Sequence, residues 1–291
     1  MSRLGAFLEL ARPQQWTKNG FVLTGLLFAH VWDDATMIAA ALTATVAFCL
    51  ASSAVYAYND AIDAPEDRNH PLKRTRAVAS GALGAREAVG AAILLALAAL
   101  GAAGTLGAIS AGIVAAYLAI NVAYTRGLKR VPVIDVFIIA AGFMLRLLAG
   151  TVGIGIEPSN WLLLCGLLLT LMLGFGKRRA ELEALEAEAG RHRAVLDEYS
   201  RAFLDGAVML CAGGTIICYA LYTVSSDTAT LHGTTQLVLT VPWVLLGTFR
   251  YLYRLQYRGG GGDPADELLR DPLLAGSALG WVATVVWLLG A

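Results

Sequence analysis

Asn59-Asp60-Ala61-Ile62-Asp63-Ala64-Pro65-Glu66-Asp67 closes a long apolar run and sets three aspartates at i, i+3 and i+7. On a helix Asp60, Asp63 and Asp67 share one face, about 10 Å from first to last at a rise of about 1.5 Å per residue. Asn59 stands one turn before Asp63 on that face. No basic residue lies between the acids, and like charges at this spacing oppose an isolated helix. A divalent cation bridging them to an anionic ligand removes the conflict. Few hard oxygen ligands beside an apolar run suit Mg²⁺ shared with a diphosphate rather than an all-protein cage. Directly after come Arg68, Lys73, Arg74 and Arg76, bases of the kind that hold phosphate. A solvated acidic helix end is the alternative, and it gives no reason for bases to follow the acids at once.

These residues are carried by a chain made for a bilayer. Of its 291 residues 57% are hydrophobic and 15% charged, against about 25% charged in a soluble domain, and mean hydropathy is +0.62. The 22 basic and 22 acidic residues cancel, and no nucleic-acid partner is expected. Arg3, Arg12 and Lys18 precede the first apolar stretch, so no cleaved leader is expected either. Cys49, Cys165, Cys211 and Cys218 sit inside apolar runs without metal-type spacing and read as small core residues. Apolar stretches near 19–32, 36–58, 87–106, 108–125, 133–154, 160–176, 206–224, 236–254 and 272–290 predict an all-α integral membrane protein with nine transmembrane helices.

Charge gives the orientation. Every Lys and Arg except Arg146 falls in the N-terminal segment, in the connections after the second, fourth and sixth spans, or at the end of the eighth span and in the connection after it. The opposite connections, at Asp33-Asp34, Glu157 to Asn160 and Ser225 to Gln236, have none. The positive-inside rule then puts the N-terminus in the cytoplasm. The two longest cytoplasmic loops are 59–86 and 177–205, within a single polytopic domain covering 1–291. Residues 177–188 have strong helical propensity, with Leu182 and Leu185 spaced to lie on a surface, and Gly259 to Gly262 read as a flexible linker.

Asn59-Asp60-X-X-Asp63-X-X-X-Asp67 resembles the first aspartate-rich motif of the UbiA superfamily of intramembrane transferases. The resemblance implies nine helices and two cytoplasmic loops over a Mg²⁺–diphosphate site, with Asn59, Asp60, Asp63 and Asp67 as the catalytic set. Further stretches are similar to the superfamily's decaprenyl-phosphate phosphoribosyltransferase branch: Arg12 to Asn19, Arg68 to Arg76, Tyr124 to Lys129 with Pro132 to Asp135, Arg146 with Ala149-Gly150, and Gly176 to Leu182. Asp266-Glu267 with Leu269-Arg270-Asp271 is similar to that branch's tail, less distinctively. Superfamily members that prenylate aromatic rings carry a second Asp-X-X-X-Asp motif in the later loop; here Lys177-Arg178-Arg179 stands there, which suits a substrate with an extra phosphate. The resemblance thus implies 5-phosphoribosyl 1-diphosphate as donor and a polyprenyl phosphate, decaprenyl phosphate, as acceptor. Membrane lipid would surround the chain, and homo-oligomerisation is left open. The setting it implies is the plasma membrane, with the active site on the cytoplasmic face and the product feeding cell-wall arabinan.

Within that scheme Lys18, Asn19, Lys73, Arg76, Tyr124, Lys129, Asp135, Arg146, Lys177 and Arg178 are the expected substrate-binding residues. Arg12 and Gln15 are placed to meet phosphate, or else belong to an interfacial anchor around Trp16. Arg146 is the lone base inside a span, where insertion costs about 2.5–3.5 kcal/mol; it faces an anion in a polar cavity or pairs with a carboxylate such as Asp135. His70 before Pro71 reads as a turn residue, and interfacial belts explain Tyr56 and Tyr58. Two other functions are open on the residues alone. An aromatic prenyltransferase wants the second aspartate pair, and a transporter wants polar groups near the midplane on broken helices.

Overall fold

The computed structural model describes residues 3–69, 73–187, 196–257, 260, 267–268 and 270–290. Outside them lie His70 to Leu72, the second loop from 188 to 195, Gly259, Gly261 and Gly262 of the expected linker, and Asp266 and Leu269. Eleven α-helices are described and no strand among the described residues: α1 (Arg3–Ala11), α2 (Thr24–Phe28), α3 (Ala35–Arg68), α4 (Ala85–Gly104), α5 (Ala108–Arg126), α6 (Ile134–Ala149), α7 (Asn160–Ala187), α8 (Arg201–Val224), α9 (Ser226–His232), α10 (Val241–Tyr257) and α11 (Pro272–Gly290). Among the described residues seven helices are long and apolar enough to cross a membrane: α3, α4, α5, α7, α8, α11, and α6 extended to Ile154.

Those seven correspond to seven of the nine expected spans. The first, 19–32, is a 3-10 segment (Pro13–Leu23) followed by the five residues of α2. The segment packs closely there: a Cβ on Gly25 would collide with the Gly150 carbonyl, and one on Gly150 with the Val22 carbonyl. The eighth, 236–254, divides into a 3-10 turn (Gln236–Thr240) and α10 of 17 residues. Hydropathy reads composition and not the length of unbroken helix, so both segments pass a sequence window without forming one long helix.

Two compact units emerge from packing. The first holds α1–α5 with the chain from Gly142 to Pro158. Its core is rich in alanine: Ala41, Ala44, Ala47, Phe48, Ala51 and Val55 form one face of α3 against Ala99, Ala103, Val114 and Tyr117. Small side chains allow the backbones to approach, the main source of helix adhesion in lipid. The second holds Lys129 to Ala141 and α7–α11, around Val136, Leu171, Met172, Phe175, Leu204, Val208, Tyr251, Leu252 and Leu255.

Helix starts follow from polar caps. The Asp34 carboxylate accepts from Thr36 N–H (2.8 Å) and Met37 N–H (3.2 Å) and so opens α3. Ser200 opens α8 through Phe203 N–H (3.1 Å). Asp34, read from sequence as lying on the face without Lys or Arg, also serves locally as a cap. The helix α7 continues to Ala187, so Lys177 to Glu183 extend a spanning helix instead of beginning a loop.

Candidate active site

In the first unit α3 carries Asn59, Asp60, Asp63 and Asp67 on one continuous helix, as the spacing requires. Asp60 and Asp67 are each 4% exposed; Asn59 and Asp63 are half-buried. The expectation that no base neutralises them is corrected by the tertiary structure. Arg12 donates to Asp60 Oδ1 at 2.5 Å, and Arg76 reaches the same oxygen at 3.3 Å and Asp67 Oδ2 at 2.7 Å. Lys73 Nζ lies 3.9 Å from Asp67 Oδ1. Asn59 is fixed by the Thr125 hydroxyl, which donates to its Oδ1. Lys73 and Arg76, expected to meet phosphate, thus stand beside the acids, and Arg12, weighed for phosphate but not for the aspartates, joins them too.

Deeper in this unit Arg146, 6% exposed, donates through Nε to Asn19 Oδ1 (2.8 Å), and through its two terminal nitrogens to Gly142 O (2.9 Å) and Tyr117 Oη (3.0 Å). Its guanidinium lies 4.9 Å from the Tyr117 ring centre and 5.3 Å from that of Phe143. Every partner is neutral, and among the described residues no carboxylate pairs with it. Asn19, fully buried, passes the contact on through Nδ2 to Ser52 Oγ (3.3 Å) and Cys49 Sγ (3.2 Å) of α3. Asn19 is therefore engaged inside the unit, tying the 3-10 segment to α3 and α6. Lys18 and Tyr124 are half-buried.

The second unit holds the other four expected residues. Lys129 and Lys177 are half-buried. Asp135 and Arg178 are 0% and 1% exposed, with Arg178 Nε donating to Asp135 Oδ2 at 2.6 Å and its terminal nitrogen to Glu181 at 2.6 Å. Both are expected substrate ligands, and here they are paired with each other in the interior. Their pairing spans 43 residues, beyond any local pattern.

Tyr199, unmarked in the sequence, completes the group. Its hydroxyl donates to Asp135 Oδ1 (2.6 Å) and accepts from Val133 N–H (2.6 Å). Burial first, then this donation to a carboxylate, pushes the phenol up to about 12 and keeps it protonated. Val133 has φ 69, a strained value for a β-branched residue, so the Tyr199 contact also holds a distorted turn ahead of α6. Arg179 is likewise committed, to Asp205 and Glu183 at 2.9 Å each.

The donor chemistry around α3 fits Mg²⁺ of a particular kind. Among the described residues no group of three acids, histidines or cysteines is gathered to hold a metal by itself. Single carboxylates strung along one helix face, with guanidinium and ammonium groups beside them, instead suit an ion that keeps water and phosphate oxygens in its shell. The UbiA prenyltransferase family profile matches residues 20–266. The chain belongs to the UbiA family.

This UbiA-family chain is a multi-pass membrane transferase. It is 34% identical to the decaprenyl-phosphate phosphoribosyltransferase of Mycolicibacterium smegmatis, over 97% of this chain and 92% of that protein. It is 35% identical to the protein of the same description from Corynebacterium glutamicum, over 96% of this chain and 85% of that one. Its fold is similar to that of a UbiA homolog from Archaeoglobus fulgidus solved with GPP and Mg²⁺. The TM-score is 0.73 at 17% identity, over 98% of this chain and 100% of the other.

Proposed function

We propose that this enzyme transfers the 5-phosphoribosyl group of 5-phosphoribosyl 1-diphosphate to a polyprenyl phosphate, decaprenyl phosphate in particular. The products are polyprenyl-phosphoryl 5-phosphoribose and diphosphate, and the lipid product leads towards an arabinofuranose donor for cell-wall arabinan. The observation that carries the reading is the near full-length similarity to two relatives described as phosphoribosyltransferases. Basic Lys177, where aromatic prenyltransferases carry a second aspartate pair, supports it. We also propose the finer topology read from charge: nine crossings of the plasma membrane in one polytopic domain, the N-terminus inside, and loops 59–86 and 177–205 on the cytoplasmic side.

Asp60, Asp63 and Asp67 would hold Mg²⁺. Held there, it would supply charge to offset that developing on the departing diphosphate. Lys73 and Arg76 would take diphosphate oxygens, and Asn59, fixed by Thr125, would orient the donor. The attacking group is a phosphate oxygen already anionic in the acceptor, so the chain needs no strong base; its work is positioning and charge stabilisation. Attack opposite the held diphosphate inverts C1, giving a β-linked product from the α-configured donor.

The test is incubation of purified protein with labelled 5-phosphoribosyl 1-diphosphate, Mg²⁺ and polyprenyl phosphate, followed by lipid extraction and NMR of the anomeric centre. Label in the lipid with β configuration is expected. Label that stays aqueous, while a polyprenyl diphosphate is transferred to an aromatic acceptor, would replace this reading with aromatic prenylation.

A further inference from the structure

Arg12 is aimed at Asp60 by unusual means. Its backbone is left-handed (φ 49, ψ 60), a conformation that costs a non-glycine residue and persists only where surroundings enforce it. Here α3 enforces it on both sides. Ser53 Oγ donates to the Ala11 carbonyl (2.7 Å) and accepts from Trp16 Nε1–H (3.0 Å), while the Arg12 guanidinium lies 5.0 Å from the Tyr56 ring centre. The result is one aspartate oxygen shared by two guanidiniums, from Arg12 and Arg76, with Arg76 also holding Asp67.

We propose that Arg12 and Arg76 are built-in counter-ions which make cation uptake at Asp60 and Asp67 conditional on diphosphate. This rests on the metal-and-diphosphate reading above. A cation and a guanidinium compete for the same oxygens. A bare divalent ion must displace both arginines from carboxylates that are 4% exposed, leaving two guanidiniums without an anion in a partly buried place. A cation arriving with diphosphate brings the replacement anion with it: the aspartates pass to the cation and the arginines pass to the diphosphate oxygens. Each carboxylate and each guanidinium then keeps a partner of opposite charge. Arg12 is then a specificity residue, selecting the metal–diphosphate complex over either ion alone.

The full-length purified chain, titrated with Mn²⁺ and followed by the paramagnetic resonance of the free ion, tests this with and without inorganic diphosphate. Wild type should bind Mn²⁺ at least about tenfold more tightly when diphosphate is present. Arg12→Gln should tighten bare Mn²⁺ by about tenfold and weaken the Mn²⁺–diphosphate complex, a change of opposite sign in the two titrations. Arg76→Gln should do the same and serves if the first variant folds poorly. Mn²⁺ affinity that depends on Asp60, shown by Asp60→Asn, but is indifferent to diphosphate and to both arginines overturns the counter-ion role alone. Binding indifferent to Asp60→Asn removes the metal site itself, and this inference with it.

Discussion

Arg178→Met separates a buried structural pair from a phosphate ligand. Asp135 and Arg178 are almost fully enclosed, 0% and 1% exposed, so solvent does not screen them. Removing Arg178 leaves the Asp135 carboxylate with the Tyr199 phenol. Breaking one side of such a pair costs about 3–5 kcal/mol, because the remaining charge is stranded. Asp135→Asn should cost less, since Arg178 keeps Glu181 at 2.6 Å. The double variant should be more stable than Arg178→Met, because no lone charge is left behind. At about 2–4 °C per kcal/mol the loss for Arg178→Met is on the order of 10 °C, readable as an apparent midpoint by heating in detergent and measuring the folded fraction by size exclusion. Donor KM in the surviving enzyme should stay near wild type. Lys177→Ala, one residue earlier and part of no ion pair among the described residues, should instead raise donor KM by about tenfold with unchanged stability. A stable Arg178→Met enzyme with a donor KM raised tenfold would refute the reasoning and return Arg178 to the donor phosphate.

Asp60→Ala and Asp63→Ala should each abolish turnover with membrane insertion intact; retention of more than about a tenth of the rate at saturating Mg²⁺, worth only about 1.4 kcal/mol of barrier, would count against their metal role. Gly150→Ala should destabilise by about 1–3 kcal/mol, because its Cβ meets the Val22 carbonyl, whereas Gly112→Ala, with open space around it, should be neutral or slightly stabilising in the same thermal assay. Asp271 is held well below the usual carboxylate range, first by the Arg250 guanidinium at 2.7 Å and against the effect of burial, with Leu274 N–H and Arg254 adding to it. A carboxyl depressed in the folded state gives stability that is fully present above its unfolded value, about 3.9, and is lost as pH falls below it. Asp271→Asn should therefore be less stable than wild type from pH 5 to 8, and the gap should begin to narrow below about pH 4 and shrink steadily with further acid.

The order in which acids and apolar residues follow one another is enough to put Asp60, Asp63 and Asp67 on one helix face, because i, i+3 and i+7 neighbours are set by helix geometry alone. The same local information marks nine apolar stretches, seven of which are long helices, the helical propensity past Lys177 and the resemblance to the family. It does not mark where 19–32 breaks, or the Gly25–Gly150 approach between segments remote in sequence. Nor does it show which charges meet. Arg12 reaches Asp60 across 48 residues, Arg146 reaches Asn19 across 127, and Tyr199 reaches Asp135 across 64. A basic residue free in sequence and one spent in a buried pair look the same until helix packing fixes their distance and removes water. For that reason Arg178 reads as a ligand in the sequence, while the fold shows it paired with Asp135.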